Sequence, residues 1–480
     1  MNLAQKAMRI AVLAAMVATF GGCNFAPKYQ RPSIETPASF KEAGDWKVAQ
    51  PRDAVKRGKW WEIFGDAELN GLVAQIDISN QNVRLAEAQY QQARALVQQA
   101  RAGLFPSVTA NAAATRSGTG SGSGNRAGGV NNDYTLTLDA SWEVDLWGRV
   151  RNTVSSSVAS AQASAADLEN ARLSAQAELA LDYIQLRALD SQRQLLDDTV
   201  TAYERSLVLT RNRYAAGVAA KVDVVQAETQ LKSTQAQAID IGVQRAQLEH
   251  AIAILIGKPP SQFALAPAPL KTAMPSIPLM LPSEMLERRP DIAGAERRVA
   301  AANAQIGVAK AAFFPQLTLS GSYGYASSSF PTWLTAPSRI WAIGPSVVQS
   351  VFDAGLRRGL TNQAIAAYDA NVASYRQTVL SAFKDVEDNL AALRILEQEA
   401  KVQEEAVQAA RQSVNLTINQ YKGGTVSFLN VVVVQAAQLN NERTAVGILG
   451  QQLGAAVALV KALGGGWDAH ELAGAGTPTR

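Results

Sequence analysis

The sequence predicts a mixed α and β chain. Four membrane-type β-strands, too few to close a barrel alone, are continued by long helical hairpins, and the whole carries an internal two-fold repeat. Three observations lead there. The chain says one long thing twice: Tyr421–Gln435, YKGGTVSFLNVVVVQ, echoes Tyr214–Glu228, YAAGVAAKVDVVQAE, at an offset of 207. The same offset relates Gly148 to Gly355, Gly217 to Gly424 and Gly257 to Gly464, while Phe105-Pro106 and Phe314-Pro315 lie 209 apart. Each copy is too long to be a solenoid repeat. Next, no proline or glycine interrupts the 66 residues from Arg149 to Tyr214, which reach roughly 100 Å as a helix. Finally, each copy holds segments that alternate apolar and polar residues with a period of two.

Composition agrees with long, closely packed helices rather than thick globular cores. Aromatic residues are only 6 % and charged residues 18 % of the chain, and Ala and Gln crowd the middle of each copy. The net charge of +4 is small for 480 residues and no basic run is present. Nucleic acid is therefore not an expected partner.

The elements follow in order. Residues 1–22 read as an export signal. Lys6 and Arg9 form a basic n-region, and Ile10–Thr19 is an apolar stretch too short to span a bilayer. It ends at Phe20-Gly21-Gly22-Cys23. Small residues before a lone cysteine resemble a bacterial lipobox, in which the thiol is lipidated and becomes the first mature residue. The alternative is an ordinary signal peptide followed by an idle cysteine. Asn24 is not Asp, so bacterial sorting would send such a lipoprotein to the outer membrane. Cys23 is the single cysteine, so once it is modified no disulfide can form.

Residues 23–67 are expected to be an extended segment with equatorial packing, in which Trp60-Trp61 packs rather than binds a ligand. The first repeat covers 68–270: a helix about Leu69–Ala102, a β-hairpin about 105–147 and a helical hairpin about 149–257. In DYTLTLDASWEVDLW, residues Tyr134, Leu136, Leu138, Ala140, Trp142, Val144 and Leu146 alternate with Thr135, Thr137, Asp139, Ser141, Glu143 and Asp145. FPSVTANAAATR is a weaker partner strand across a Gly/Ser-rich loop. The long helix is expected to stop at Gly217, with a shorter helix returning over about Val222–Ile256. The second repeat, 271–467, has a helix about Asp291–Ala312, a hairpin about 314–352 and a helical hairpin about 355–463. Here Ile365, Val372, Val379, Val386, Leu393, Ala400, Val407, Val414 and Tyr421 fall seven apart. A strict seven-residue repeat implies a left-handed supercoil. That helix is expected to stop at the Gly423-Gly424 turn, with Gly424 as an αL cap. The shorter return helix is expected over about Ser427–Leu463. Residues 468–480 are a tail.

After Cys23 no apolar run approaches twenty residues, which argues against a helical membrane span. Four strands leave open edges, and open edges are not tolerated in lipid. Strands that span a membrane therefore require an oligomer, with eight strands from two copies or twelve from three. Otherwise the hairpins are soluble and pack on the helical body.

Several longer stretches carry a resemblance: CNFAPKYQRP, WWEIFGDAELNGLV, LPSEMLERRPDIAGAERRVAAANAQIGVAKAAFFPQL and LVKALGGGW, in that order. With them the chain resembles the TolC-like outer-membrane factors, in the lipoprotein (NodT/OprM-like) branch serving RND efflux pumps, over essentially all of Cys23–Trp467. The resemblance implies a homotrimer with a twelve-stranded outer-membrane β-barrel, a periplasmic α-helical barrel and an equatorial belt. It also implies a periplasmic mouth that stays closed until a periplasmic adaptor and an inner-membrane pump engage it. At that mouth Leu429 matches a ring leucine and Tyr421 a tyrosine that ties neighbouring helices. Lys422 stands where relatives often carry arginine, and Val433 where many carry aspartate. Asp223 keeps an acidic group nearby.

Catalysis finds little support and no cofactor is expected. His250 and His470 are far apart with no ligand spacing around either. Asp385 and Asp388 sit at helical i,i+3 spacing as a polar face. ALGGGW ends a helix and lacks the lysine and Ser/Thr of a phosphate loop. The expectation is a passive exit duct for drugs or other small molecules in a Gram-negative outer membrane. The alternatives are the exit duct of a type I protein secretion system or of a metal efflux pump. A structural, non-conducting coiled-coil lipoprotein fits the two hairpins poorly.

Overall fold

The computed structural model describes residues 24–43, 59–118, 129–271, 274–275, 277 and 287–467. Residues 1–22, expected to be an export signal, Cys23, the tip of the first β-hairpin and residues 468–480 lie outside the described residues. Eleven regular elements carry the architecture: α1 Ala67–Ser79, α2 Gln81–Ala102, β1 Ser107–Gly118, β2 Val130–Val144, α3 Arg149–Ala215, α4 Lys221–Leu255, α5 Pro290–Ala311, β3 Gln316–Ser327, β4 Arg339–Val348, α6 Leu356–Lys422 and α7 Phe428–Ala462. The repeat is metric. α3 and α6 are each 67 residues long, and α4 and α7 are each 35. Gly148, Gly217 and Gly257 all have positive φ, and so do Gly355, Gly424 and Gly464.

The helices form a row of four rods. α2 and α4 together flank α3; α5 and α7 together lie between α3 and α6. Two rods are continuous and two are spliced end to end. The splices are built alike. Asn80 breaks what the sequence reads as one helix from Leu69 to Ala102, with backbone angles of −66° and 123°. Its Oδ1 accepts from the amides of Asn82 and Val83, which caps α2, and its Nδ2 donates to the last carbonyl of α4, Leu255, at 2.7 Å. At the position 209 residues on, Arg289 precedes α5 and donates to the Ala462 carbonyl of α7 at 3.0 Å. Gly257 and Gly464 allow the close approach. A Cβ would lie 2.3 Å from the Ser79 oxygen at the first and 2.0 Å from the Arg288 oxygen at the second. Only glycine combines that contact with positive φ.

The heptad stripe of α6 is its buried seam. Val379, Val386, Leu393, Val407, Val414 and Tyr421 are buried, whereas Ile365, near the strand end, is exposed. α7 is the one described helix apolar and long enough to cross a membrane by length and composition. Its Ile448, Leu453, Val457 and Val460 are nonetheless buried, and it packs on α6 and α3. Midway along α3, a buried Asp190 accepts from Arg187 at 3.0 Å, from Arg245 at 2.7 Å and from the Ala268 amide at 3.0 Å. That network fastens the linker between the repeats. Trp60 and Trp61 are buried in the main core, with Trp60 Nε1 donating to Gln176 of α3 at 3.2 Å.

At one end of the rods the four strands form an antiparallel sheet in the order β1-β2-β3-β4. The register stacks Trp142 on Leu319 and Pro345, Ala140 on Gly321 and Ile343, and Leu138 on Tyr323 and Trp341. The opposite face carries Asp139 beside Ser322 and Ser141 beside Ser320. One face is apolar yet exposed: Trp341 is 71 % and Ile343 82 % accessible. β1 pairs only with β2 and β4 only with β3, so both outer edges are open.

Candidate functional site

The far end of the rods is a tip made by two helical turns. α3 ends in a Schellman motif: the Gly217 amide donates to the Tyr214 carbonyl and the Val218 amide to Arg213, both at 2.9 Å. α6 ends the same way, with Gly424 donating to Tyr421 and Thr425 to Gln420, both at 3.0 Å. Gly424 takes φ of +77°, whereas Gly423 sits at −73°, a right-handed conformation open to any residue.

A small core closes the tip from all four helices. Tyr203 and Leu207 come from α3, Val224, Ala227 and Leu231 from α4, Tyr421 from α6, and Phe428 and Val431 from α7. Tyr421 is only 4 % accessible and meets the Phe428 ring edge-on at 5.4 Å. The Arg213 guanidinium lies 4.8 Å over the Tyr421 ring, and its Nη1 donates to the Lys422 carbonyl at 3.0 Å. One arginine of the first hairpin thus caps the long helix of the second. Sequence reading missed Arg213, because its partners lie about two hundred residues away and no local pattern announces them. The Tyr421 hydroxyl and Arg213 Nε are buried without a partner among the described residues.

The other tip residues stand as follows. Lys422 contributes its backbone carbonyl, and its side chain is exposed. Leu429, in the first turn of α7, is 52 % accessible, and Val433, one turn on, is also exposed. Asp223 lies in the first turn of α4, half-buried, where a carboxylate complements the helix dipole. Val431 and Val432 pack inward.

At the strand end the N-terminal segment meets the sheet. Phe25 stacks on Phe314 at 4.3 Å and lies 6.3 Å from Trp147, at the roots of β3 and β2. Asn24 accepts from Asn152, in the first turn of α3, at 2.9 Å. The segment then runs down the rods, with Pro27 bonded to Asn303, Arg31 to Tyr375 and the Lys41 amide to Glu387.

No cluster of potential metal ligands is present among the described residues. Asp385 and Asp388 do not work as a pair: the first faces Arg289 at 3.5 Å and the second Lys384 at 2.7 Å. His250 is exposed near the end of α4, and His470 lies outside the described residues.

Comparison with known proteins places this geometry. A family described as outer membrane efflux protein matches residues 72–258 and 281–465, one match per repeat. The chain is similar to the toluene efflux pump outer membrane protein TtgC of Pseudomonas putida, 31 % identical over 468 residues and covering 95 % of each chain. It is similar to the same degree and extent to the antibiotic efflux pump outer membrane protein ArpC of Pseudomonas putida. Among solved structures it superposes on the outer-membrane channel OprN with a TM-score of 0.87 at 31 % identity, covering 93 % of this chain and all of that one.

Proposed function

Since the chain belongs to the outer membrane efflux protein family and has the fold of its trimeric outer-membrane channels, we propose that it is the passive exit duct of a tripartite RND-type efflux pump. Its seat is the outer membrane of a Gram-negative bacterium, with the helical rods in the periplasm. The observation that carries the reading is the pairing of two ends on one chain. A sheet with an exposed apolar face, a polar face and two open edges stands at one end. A turn assembly lies about 100 Å away along 67-residue helices. Three copies pair β4 of one with β1 of the next, which leaves no edge in lipid. The polar faces then line a lumen continuous with the helical barrel.

The tip is the gate in this reading. Leu429 projects from the α7 turn toward the three-fold axis, and three leucines form an apolar constriction that resists ions by dewetting as well as by width. Asp223 places acidic groups near the mouth, and the Arg213–Tyr421–Lys422 contact holds the two hairpins together. A periplasmic adaptor and an inner-membrane pump release that closure. Cargo is chosen upstream: relatives equally similar to this chain are named for toluene and for antibiotics, which one unselective duct can serve. Cys23, after the small residues Gly21 and Gly22, carries the lipid anchor in this reading, and the bond between Asn24 and Asn152 puts it at the strand end.

The test is transport. In a strain lacking its own outer-membrane efflux component, expression with a cognate pump and adaptor should lower accumulation of an exported dye. Undiminished accumulation, with the trimer present in the outer membrane, would overturn the small-molecule reading. Secretion of a protein substrate in its place would assign the duct to a type I system.

A further inference from the structure

We infer that the apolar groove on the membrane face of the sheet seats an acyl chain carried by Cys23 of the same protomer. The inference rests on the lipoprotein reading of Cys23 proposed above. The groove encloses about 500 Å³. Its floor is Ala140 and Gly321, and its walls are Trp142, Leu319, Ile343 and Pro345. All six belong to one face, because the register stacks Trp142 on Leu319 and Pro345, and Ala140 on Gly321 and Ile343. The small residues make the trough: Gly321 has no side chain where its neighbours along β3 on that face, Leu319 and Tyr323, carry large ones. Trp142 is fixed as a wall by donating its indole N–H to the Leu104 carbonyl at 3.1 Å.

The occupant follows from where the chain leads. Asn24 is held by Asn152, and Phe25 is wedged against Phe314 and Trp147 at the roots of β3 and β2. Those are the two strands that floor the groove. From Phe314 to Leu319 is five residues, roughly 17 Å at the rise of a strand, within the length of an extended fatty acyl chain. An acyl chain starting at the residue before Asn24 is therefore delivered to the groove already tethered. The tether gives it an effective concentration that a free lipid lacks. The neutral and largely apolar trough fits an acyl chain, and it lacks the lysine or arginine that would hold a phosphate headgroup. The physical consequence is a protomer whose anchor lies against its own strands and stiffens the barrel wall.

Cells expressing the full chain are fed a fatty acid bearing a diazirine, illuminated, and the purified trimer is digested for mass spectrometry. The expected product joins the N-terminal lipopeptide beginning at Cys23 to a peptide from 316–327 or 339–348. It should fall severalfold in Gly321→Leu and, independently, in Ala140→Phe, both of which fill the trough, while the label on Cys23 is unchanged. Cross-links from labelled Cys23 going mainly to bulk phospholipid, or spread evenly over the barrel exterior, would overturn the groove assignment alone. Absence of label on Cys23 would overturn the lipoprotein reading and this inference with it.

Discussion

Arg213 joins the two hairpins through one hydrogen bond and one aromatic face, and the two contributions can be separated. Arg213→Ala removes both, a loss of about 1–3 kcal/mol at the tip. Arg213→Lys keeps a cation over Tyr421 but gives up the guanidinium fork. Amide exchange at residues 416–426 should quicken strongly in the first variant and weakly in the second, with the strands unaffected; equal exchange in both would remove the latch role. The role proposed for Leu429 is at the aperture instead. In planar bilayers, Leu429→Ser trimers should conduct more than the parent without pump or adaptor, while removing the Asp223 carboxylate should mainly lower cation preference. Unchanged conductance in an intact Leu429→Ser trimer would place the gate elsewhere. Midway up α3, burial and then the nearby Glu178 carboxylate raise the Asp182 pKa from 3.8 to about 6. The folded chain therefore keeps a proton that the unfolded chain has lost between those values. Its contribution is fully present below about pH 3.8 and is lost as pH rises through 6. Asp182→Asn should stabilise the fold at pH 7.5 by on the order of 1 kcal/mol after solvent screening, read as a higher melting temperature, and leave it unchanged at pH 3.5. An equal shift at both would rule titration out.

At the scale of elements, the two spliced rods depend on two unlike side chains doing one task. Asn80 caps α2 while bonding the end of α4, and Arg289 bonds the end of α7 from the start of α5. An amide serves the first joint, where the partner helix also needs an N-cap. A guanidinium serves the second, where Asp291 at 2.7 Å and Asp385 at 3.5 Å also need a cation. Asn80→Ala should cost about 1–3 kcal/mol through one lost cap and one stranded buried carbonyl. Gly464→Ala should cost more, since its Cβ would meet the Arg288 oxygen at 2.0 Å in a positive-φ conformation. Denaturant titration of the detergent-solubilised protein would rank them. Gly423→Ala, at an ordinary φ and with only 3.4 Å contacts, should be close to neutral by comparison.

At the scale of the molecule, the open edges of β1 and β4 and the exposed apolar sheet face require other copies of the chain. Native mass measurement in detergent should give a trimer. A monomer still rich in helix and strand would contradict the shared barrel, and a dimer would leave eight strands rather than twelve. The lipid anchor proposed for Cys23 belongs to the same end of the molecule, where Asn24 meets Asn152. Cys23→Ser protein should lose incorporated fatty acid, and retention of label would end the lipoprotein reading.

By itself the sequence determined whatever is written as a period or a spacing. The offset of 207, the seven-residue stripe of α6 and the alternation of β2 are one-dimensional signals of helix supercoiling and strand faces, so the repeat, the long helices and the four strands were legible. The tip glycines Gly217 and Gly424 were legible too, since a turn with positive φ writes itself as glycine. The tertiary structure alone decided where those elements touch. The break at Asn80 looked like ordinary helix, because what ends the helix there is the carbonyl of Leu255, 175 residues away. Arg213 carries no signal in the sequence, because Tyr421 and the Lys422 carbonyl, 209 residues on at the second, come beside it only in the fold. Phe25 lies in a segment that the sequence marks only as extended, and its stack on Phe314 leaves no local pattern. Contacts between residues so far apart leave no local period, since they are selected by shape and hydrogen-bond need at a meeting point that exists only once the rods have packed.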